Sequence, residues 1–278
     1  MAKKYTSKEV VERLQAEISK GKPLFIPNCG MGLSAKLQEK GGADLIFISP
    51  TSYGRLKGLG SLAAFLPFGD FNQIVFNLAK EIVPMVKETP VIAFSSPNNP
   101  LLPHKEHLKI LSDLGISGIN PFISKIYGEG FSEQIEQIGM GFSKEVEFVA
   151  AAHEMDMFTF AYAFSPEEAE ILTEAGSDAI CSHVGATKGG AIGAKTAMSL
   201  DDASQLSQQI FDAARKVNKN VILVAHGGPI ETPEDAEYVL KHTNAQGFLG
   251  GSAAERMPIE KAIVEATMAF KNISMGGQ

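Results

Sequence analysis

Eight short apolar runs recur along the chain, and most of them are continuous rather than alternating. A continuous apolar run of four to eight residues is typical of a strand that is buried on both faces of a parallel sheet. The runs therefore predict eight buried strands, at residues 24–27, 45–49, 91–95, 118–122, 158–161, 179–182, 221–225 and 247–250.

Helical patterns separate these runs. Apolar residues recur at helical spacing over 74–87, 104–114, 142–155 and 203–217. Helix starts are marked by a serine or threonine with an acidic residue three positions later, at Thr6, Ser165, Ser199 and Thr232. Strands that alternate with helices form a parallel sheet, and eight such units favour closure. The sequence thus predicts an α/β fold, a (β/α)8 TIM barrel with an N-terminal helix at 6–20 before the first strand, as a single domain over 1–278.

Two predicted connections are long, 51–73 after the second strand and 124–141 after the fourth. Both follow the carboxyl ends of strands, where a barrel places its active site. Long loops there are usually lids, substrate-binding elements or contacts between subunits.

Composition narrows the class of protein and of partner. Of 278 residues 44% are apolar and 21% charged, which suits a folded core. The net charge of −7 argues against nucleic acid or an anionic membrane as a partner. No apolar run approaches the ~18 residues of a membrane span. Cys29 and Cys181 are too few for a disulfide framework, so a cytoplasmic location is the simplest interpretation. We expect a small anionic substrate, and a homo-oligomer stays open.

Two histidines end predicted strands and are candidate catalytic residues. His183 follows the sixth strand and His226 the seventh, so both side chains belong to one barrel mouth. Imidazole suits proton transfer near neutral pH. Either ring could instead anchor a loop. Glu255 is the third candidate, as a base or metal ligand, or else as the partner of Arg256 in an internal ion pair.

Glycine-rich segments follow the last two strands and predict an anion site. Backbone N–H groups can approach an anion closely where no side chain intervenes. The alternative is a set of tight turns that need positive φ. The candidates for this site are Gly227 and Gly228 after strand seven, and Gly250, Gly251 and Ser252 after strand eight. Gly189 and Gly190 belong to a glycine-rich loop after strand six, which could close over the substrate or be only a flexible connection.

Other polar residues at strand ends or in the loops could orient a substrate. These candidates are Asn28, Arg55, Asp70, Asn120, Tyr162, Thr187 and Arg256. Arg55 could form a fork onto a carboxylate. No His-x-x-x-His, Cys-x-x-Cys or Asp-x-Asp spacing indicates a metal, so the cofactor is unknown and a divalent metal stays open. The lack of a Gly-x-Ser-x-Gly elbow leaves a serine hydrolase without support.

Three segments carry a family resemblance: 182–194, 226–236 and 247–258. On these residues the chain resembles the phosphoenolpyruvate hydrolase-like family of TIM barrels, also described as predicted signal-transduction barrels. The resemblance implies a TIM barrel that handles phosphoenolpyruvate-type substrates. The chain departs from the family pattern at 27–32, Leu59, 95–100 and 120–122, all on the first four strands or their loops. We therefore expect that strands six to eight keep the family's reaction chemistry, whereas strands one to four recognise a different substrate.

Three functions follow from this sequence. The first is hydrolysis or lysis of a phosphoenolpyruvate-like or oxo-acid substrate, with histidine acid and base groups and a glycine-rich anion site. The second is a non-catalytic barrel that senses a small molecule. The third is a C–C bond hydrolase or lyase that acts on a non-phosphorylated oxo compound.

Overall fold

Eight parallel strands form a closed barrel in chain order, with β1 paired to β8. The computed structural model describes residues 3–66, 69–122, 124–191, 193–195 and 197–275. The strands are β1 (Leu24–Cys29), β2 (Ile46–Ile48), β3 (Val91–Ser95), β4 (Gly118–Pro121), β5 (Phe158–Ala163), β6 (Ala179–His183), β7 (Ile222–His226) and β8 (Gly247–Gly250).

The predicted TIM barrel is confirmed, and each observed strand overlaps its predicted run. The main difference is at carboxyl ends, where β6 and β7 extend by one residue to include His183 and His226. The two histidines are thus register partners on adjacent strands. The single domain is predicted over 1–278, and the two chain ends of that range lie outside the described residues. Ile192, which follows β6 in the sequence, lies outside them as well.

Eleven helices occur among the residues that the structure describes. They are α1 (Ser7–Ser19), α2 (Gly32–Lys40), α3 (Pro50–Leu56), α4 (Phe71–Ile82), α5 (His104–Asp113), α6 (Glu129–Gln137), α7 (Phe142–Glu154), α8 (Pro166–Glu174), α9 (Leu200–Val217), α10 (Pro233–His242) and α11 (Arg256–Lys271). The two predicted long loops contain α3 and α6. Their glycines and the short runs of apolar residues gave no clear helical pattern in the sequence.

The predicted helix starts have the expected caps. Thr6 accepts a hydrogen bond from the Glu9 N–H while the Glu9 carboxylate accepts the Thr6 N–H, and Thr232 forms the same box with Asp235. Ser165 accepts from the third helical residue in the same way. Such caps are worth about 1 kcal/mol each and fix where helices leave the barrel rim.

The N-terminal helix closes the bottom of the barrel. Val10 and Leu14 are buried in one cluster with inward residues of the strands, such as Leu24. The Ser7 hydroxyl donates to Asp178, which precedes β6. The described residues thus close this end, and the interior cavity lies at the carboxyl ends of the strands.

Inward side chains divide the barrel into an aromatic interior and a polar mouth. Phe47, Phe94 and Phe160 fill the middle, with Phe47 edge-on to both of the others. The next inward-facing residues towards the carboxyl ends of β1 and β7 are Asn28 and His226. No helix within the described residues is long and apolar enough to cross a membrane.

Candidate active site

A cavity of about 80 Å³ opens at the carboxyl ends of the strands. Its lining combines polar groups of β1, β2, β6 and β7 with an aromatic wall. The lining residues are Asn28, Ser49, Thr51, Arg55, Ser61, Leu62, Phe65, Phe94, Phe122, Tyr162, His183, Ala186, Thr187, His226 and Gly251. Among the predicted site residues, the structure therefore brings together Asn28, Arg55, Tyr162, His183, Thr187, His226 and Gly251.

The ring of His226 is fixed by the neighbouring strand. Its Nδ1 lies 2.9 Å from the Leu249 carbonyl oxygen, which can only accept, so Nδ1 carries the proton. Burial lowers the pKa of His226 to about 4, against a weaker opposing effect of this hydrogen bond. The ring is therefore neutral near pH 7, and its Nε2 presents a lone pair.

His183 has the opposite tautomer. The Gly185 N–H donates to its Nδ1 at 3.2 Å, so the proton of the neutral ring is on Nε2. Burial lowers the pKa of His183 well below its ordinary value, and the nearby His226 lowers it further. Its ring stacks on Phe164 at 4.5 Å between centroids and presents an N–H donor.

Arg55 places a positive charge in the cavity wall from α3. Its Nη1 donates to the hydroxyls of Thr51 and Ser61 at 3.1 Å, and its Nη2 donates to Ser52 at 2.7 Å. The buried Nε has no hydrogen-bond partner among the described residues. Burial lowers the pKa of Arg55 to about 10, so the group stays charged near neutrality. An unpaired buried donor costs about 1–3 kcal/mol, which an anionic ligand would offset.

Glu255 lies behind this wall rather than in it. Its carboxylate accepts the Gly30 N–H at 3.0 Å and is only 3% exposed. Burial raises its pKa, while hydrogen bonds from Ser34 and then Gly30, and the charge of Arg55, oppose the rise. Glu255 therefore acts electrostatically on Arg55 and does not line the cavity.

Asn28, Thr187 and His226 converge on Gly251. A Cβ added at Gly251 would lie 3.2 Å from His226 Cε1 and 3.9 Å from both Asn28 Nδ2 and Thr187 Oγ1. The Asn28 Oδ1 is buried and has no hydrogen-bond partner in the part of the chain that the structure describes. Tyr162 stacks on His226, and burial raises its pKa well above the ordinary value, so its hydroxyl stays protonated.

A short 3-10 turn at Ser61–Phe65 covers the cavity from the side of β2. Phe65 packs edge-on to Phe94 and Phe122, and Ser61 bonds to Arg55. We did not predict Ser61, Phe65 or Phe122 as site residues. The signal for Phe122 was its inward parity on the fourth strand, whereas Ser61 and Phe65 reach the cavity only through the fold of this turn.

The glycines after β7 pack two loops together. The Gly228 N–H donates to the Gly185 oxygen at 2.9 Å, and a Cβ added at Gly227 would lie 2.2 Å from that same oxygen. Both glycines have positive φ. Neither Gly227 nor Gly228 lines the cavity, so their placement matches the alternative of a tight turn rather than an anion site.

Arg256 fastens the loop after β6. Its guanidinium donates to the Gly189 oxygen at 3.0 Å and pairs with Glu260 at 2.7 Å. A Cβ added at Gly190 would lie 2.1 Å from its Nη1. These three predicted substrate-binding residues therefore lie together outside the cavity.

Four other predicted residues also lie outside the lining. Asp70 is exposed and caps α4 by accepting the Gln73 N–H. Asn120 is fully buried inside the barrel, and its amide oxygen and nitrogen have no hydrogen-bond partner among the residues described. Gly250 is the last residue of β8, and Ser252 begins the 3-10 turn that follows it.

Comparison with known proteins assigns the family. The family model "Phosphoenolpyruvate hydrolase-like" matches residues 9–273, so the chain belongs to that family. The tomato (Solanum lycopersicum) ToMV susceptible protein tm-1(GCR26) is 43% identical over 268 residues, which are 96% of this chain and 36% of that protein. The chain thus spans about a third of this relative's length.

Two solved structures share the fold. Phosphonopyruvate hydrolase in complex with oxalate and Mg++ has a TM-score of 0.62 at 17% identity, covering 94% of this chain and 87% of that one. 2,3-Dimethylmalate lyase, a PEP mutase/isocitrate lyase superfamily member, has a TM-score of 0.61 at 15% identity, covering 99% and 89%. At these identities the likeness concerns the barrel alone.

The cavity does not suit a divalent cation such as Mg²⁺. Magnesium in proteins is held by oxygen ligands that include carboxylates. The described lining residues offer hydroxyls, one amide and two imidazoles, but no carboxylate, and Arg55 adds a positive charge. No cluster of three histidine, cysteine or acidic residues that could hold a metal occurs in the described part of the chain.

Proposed function

We propose that this barrel is an enzyme that breaks a C–C or C–P bond beside the carbonyl group of a small anionic oxo acid. The observation that carries the proposal is the pair of neutral imidazoles with opposite tautomers beside a buried guanidinium. One ring supplies a base, the other an N–H donor, and the arginine a charge for the acid.

Substrate size and charge follow from the cavity. A water needs ~10–15 Å³ of such space, so the cavity takes on the order of six non-hydrogen atoms. Oxalate and pyruvate, the acid products of oxaloacetate and phosphonopyruvate hydrolysis, have this size. Arg55 is the cation of the lining, which favours an anionic group at its free Nε–H. The proposal therefore assigns the carboxylate to Arg55 rather than to the glycine turns.

The chemistry uses the two imidazoles in turn. His226 Nε2 removes a proton from water, whose oxygen bonds to the carbonyl carbon or phosphorus as the C–C or C–P bond breaks. The electron pair of the broken bond becomes an enolate or carbanion, which takes up the proton held by His226. The His183 Nε2–H donates a hydrogen bond to the developing oxyanion, as a neutral electrophile.

Direct assay tests the proposal. Phosphonopyruvate and oxaloacetate are incubated with catalytic amounts of protein, and products are followed by NMR. We expect turnover of at least one compound and its loss in His226→Gln, with His153→Gln, an exposed residue of α7, as the matched control. Oxalate binding without turnover of any compound would replace the enzyme with a ligand-sensing barrel.

A further inference from the structure

The end of β8 lies between polar side chains of its two neighbouring strands. In the register of β1 and β8, Asn28 follows the residue that pairs with Gly250 and therefore lies beside Gly251. On the other side of β8, His226 pairs with Leu249. The chain that leaves β8 is thus flanked by an amide and an imidazole, and both of these groups line the cavity.

Gly251 leaves a recess between these groups because it has no side chain. The point that a Cβ would occupy lies 3.2 Å from His226 Cε1 and 3.9 Å from both Asn28 Nδ2 and Thr187 Oγ1. The φ of Gly251 is −80°, so a left-handed backbone is not the reason for a glycine here. What the glycine provides is open space beside the imidazole. We call this space, bounded by Asn28, Thr187, His226 and Gly251, the Gly251 recess.

The three polar groups of the recess differ in their hydrogen-bonding capacity. His226 carries its proton on Nδ1, so its Nε2 is an acceptor. Asn28 is only 4% exposed and its Oδ1 is buried, whereas its Nδ2 is the amide atom close to Gly251 and is therefore the donor at the recess. The Thr187 hydroxyl can donate or accept. The recess thus combines one acceptor, one donor and one group that can be either.

Thr187 is held in place by the backbone of its own loop. The Ala194 N–H donates to the Thr187 carbonyl oxygen at 3.1 Å, and the Lys188 N–H donates to the Gly228 carbonyl oxygen at 3.2 Å. Lys188 and Ala194 also form a parallel bridge. All of these contacts use backbone groups, so the Thr187 side chain is positioned at the cavity without engaging its hydroxyl.

Water matches this set of groups, whereas the oxygens of an oxo acid do not. A carbonyl or carboxylate oxygen can only accept, so its lone pairs would face the lone pair of His226 Nε2. A water molecule can donate to Nε2 and to the Thr187 hydroxyl while it accepts an N–H of Asn28. Three such partners are typical of a buried water. One lone pair of the water then remains for the bond to the reacting carbon or phosphorus.

We propose that the Gly251 recess binds the water that is used for hydrolysis, and that Asn28 and Thr187 are positioning residues that hold this water against His226. The inference rests on the proposed function. His226 takes one proton of the water as the water oxygen bonds to the substrate, and this proton then passes to the enolate or carbanion. Asn28 and Thr187 keep their own protons and act by orienting the nucleophile before the reaction.

Gly251→Ala tests the recess, because the added methyl group occupies the place of the water. We expect kcat for phosphonopyruvate or oxaloacetate, whichever the parent turns over, to fall by about 10²-fold. The Kd for pyruvate, a probe without any oxygen derived from water, should be unchanged. Gly130→Ala on α6, with open space around its Cβ, is the matched control. A parental kcat in Gly251→Ala would overturn the water site while the proposed function stands.

Thr187→Val tests the orientation of the water without crowding His226. Loss of one hydrogen bond to the nucleophile should lower kcat by about tenfold and leave KM unchanged. Thr187→Ser, which keeps the hydroxyl, should recover most of this loss. A raised Kd for pyruvate at a parental kcat would mean that the recess binds an oxygen of the substrate, and would overturn the proposal. A parent that turns over neither compound would remove the proposed function and this inference with it.

A crystal structure of the protein with pyruvate supplies a readout that is independent of turnover. We expect one ordered water within hydrogen-bond distance of both His226 Nε2 and Thr187 Oγ1, about 2.7–3.0 Å. The same structure of Gly251→Ala should lack this water. A pyruvate oxygen in the recess, or a recess without ordered water in the parent, would contradict the proposal.

Discussion

The imidazoles of His183 and His226 meet edge to face with their ring centroids 4.9 Å apart, and their Nδ1 atoms have opposite backbone partners. A backbone N–H donates to His183, and a backbone carbonyl accepts from His226. Adjacent strands thus present one protonated and one unprotonated Nε2 to the same cavity. Two rings of one residue type acquire different chemical capacities from the backbone alone.

This difference predicts unequal effects of glutamine substitution. A glutamine amide can donate a hydrogen bond but is not a base. His226→Gln should lower kcat by about 10²–10⁴-fold. His183→Gln should cost about tenfold or less, whereas His183→Leu, which removes the donor, should cost about 10²–10³-fold. Steady-state kinetics on a substrate from the assay above measures this, and equal losses in the two glutamine variants would contradict the assigned tautomers.

The pH dependence of kcat/KM should report the pKa of His226. Burial, with a smaller effect of the charge on Arg55, lowers this pKa to about 4. The base is active when neutral, so activity should persist on acidification past pH 6.5 and fall only near pH 4. A pH profile with stability checked at each point measures the acid limb. An acid limb near 6.5 would mean that the ring is hydrated and lacks the predicted burial.

Arg55, rather than a metal, should hold the acid. We expect oxalate binding, measured by calorimetry, to have the same Kd in EDTA and in Mg²⁺. Arg55→Gln should raise that Kd by about 10–150-fold, the value of a hydrogen bond to a charged group. Lys57→Gln, an exposed cation just after α3, is the control for general electrostatics. Binding that requires Mg²⁺ would show that the donor set has been misjudged, while the oxo-acid proposal would stand.

The turn after β7 should be intolerant of any side chain. Gly227→Ala combines a positive φ of 89° with a Cβ 2.2 Å from the Gly185 oxygen. Gly58 has a similar φ of 79° but open space around its Cβ, so it is the matched control. Gly58→Ala should cost about 1–2 kcal/mol of unfolding free energy, from strain alone. Gly227→Ala should cost at least twice that in urea unfolding, and equal costs would show that the loop yields readily.

The barrel could be predicted from the sequence because its strands are buried on both faces and are therefore continuous apolar runs. The position of His183 and His226 at the mouth could be predicted because the carboxyl ends of the strands face the mouth in any such barrel. Sequence patterns did not separate Gly251, which lines the cavity, from Gly227, which packs two loops, since both follow a strand and precede a helix. The role of Arg256 could not be predicted either, because an arginine in a buried ion pair and an arginine that binds an anion look the same in the sequence.

A buried histidine outside the site should govern acid stability. His107 on α5 is fully buried between Phe76 and Phe148, and neither ring nitrogen has a hydrogen-bond partner within the described ranges. Burial lowers its pKa to about 4, with a smaller contribution from His104 in the same direction. At pH 5 the unfolded chain therefore binds a proton here that the folded chain does not. Stability from this group is present above pH 6.5 and is lost as the pH falls towards 4, by roughly 3 kcal/mol in total.

His107→Leu should reduce the slope of unfolding free energy against pH by up to about 1.4 kcal/mol per pH unit in this window, measured by urea titration. Leu111→Ala, buried on the same helix, should lower stability equally at every pH, and an unchanged slope in His107→Leu would mean that the imidazole is hydrated in the folded protein.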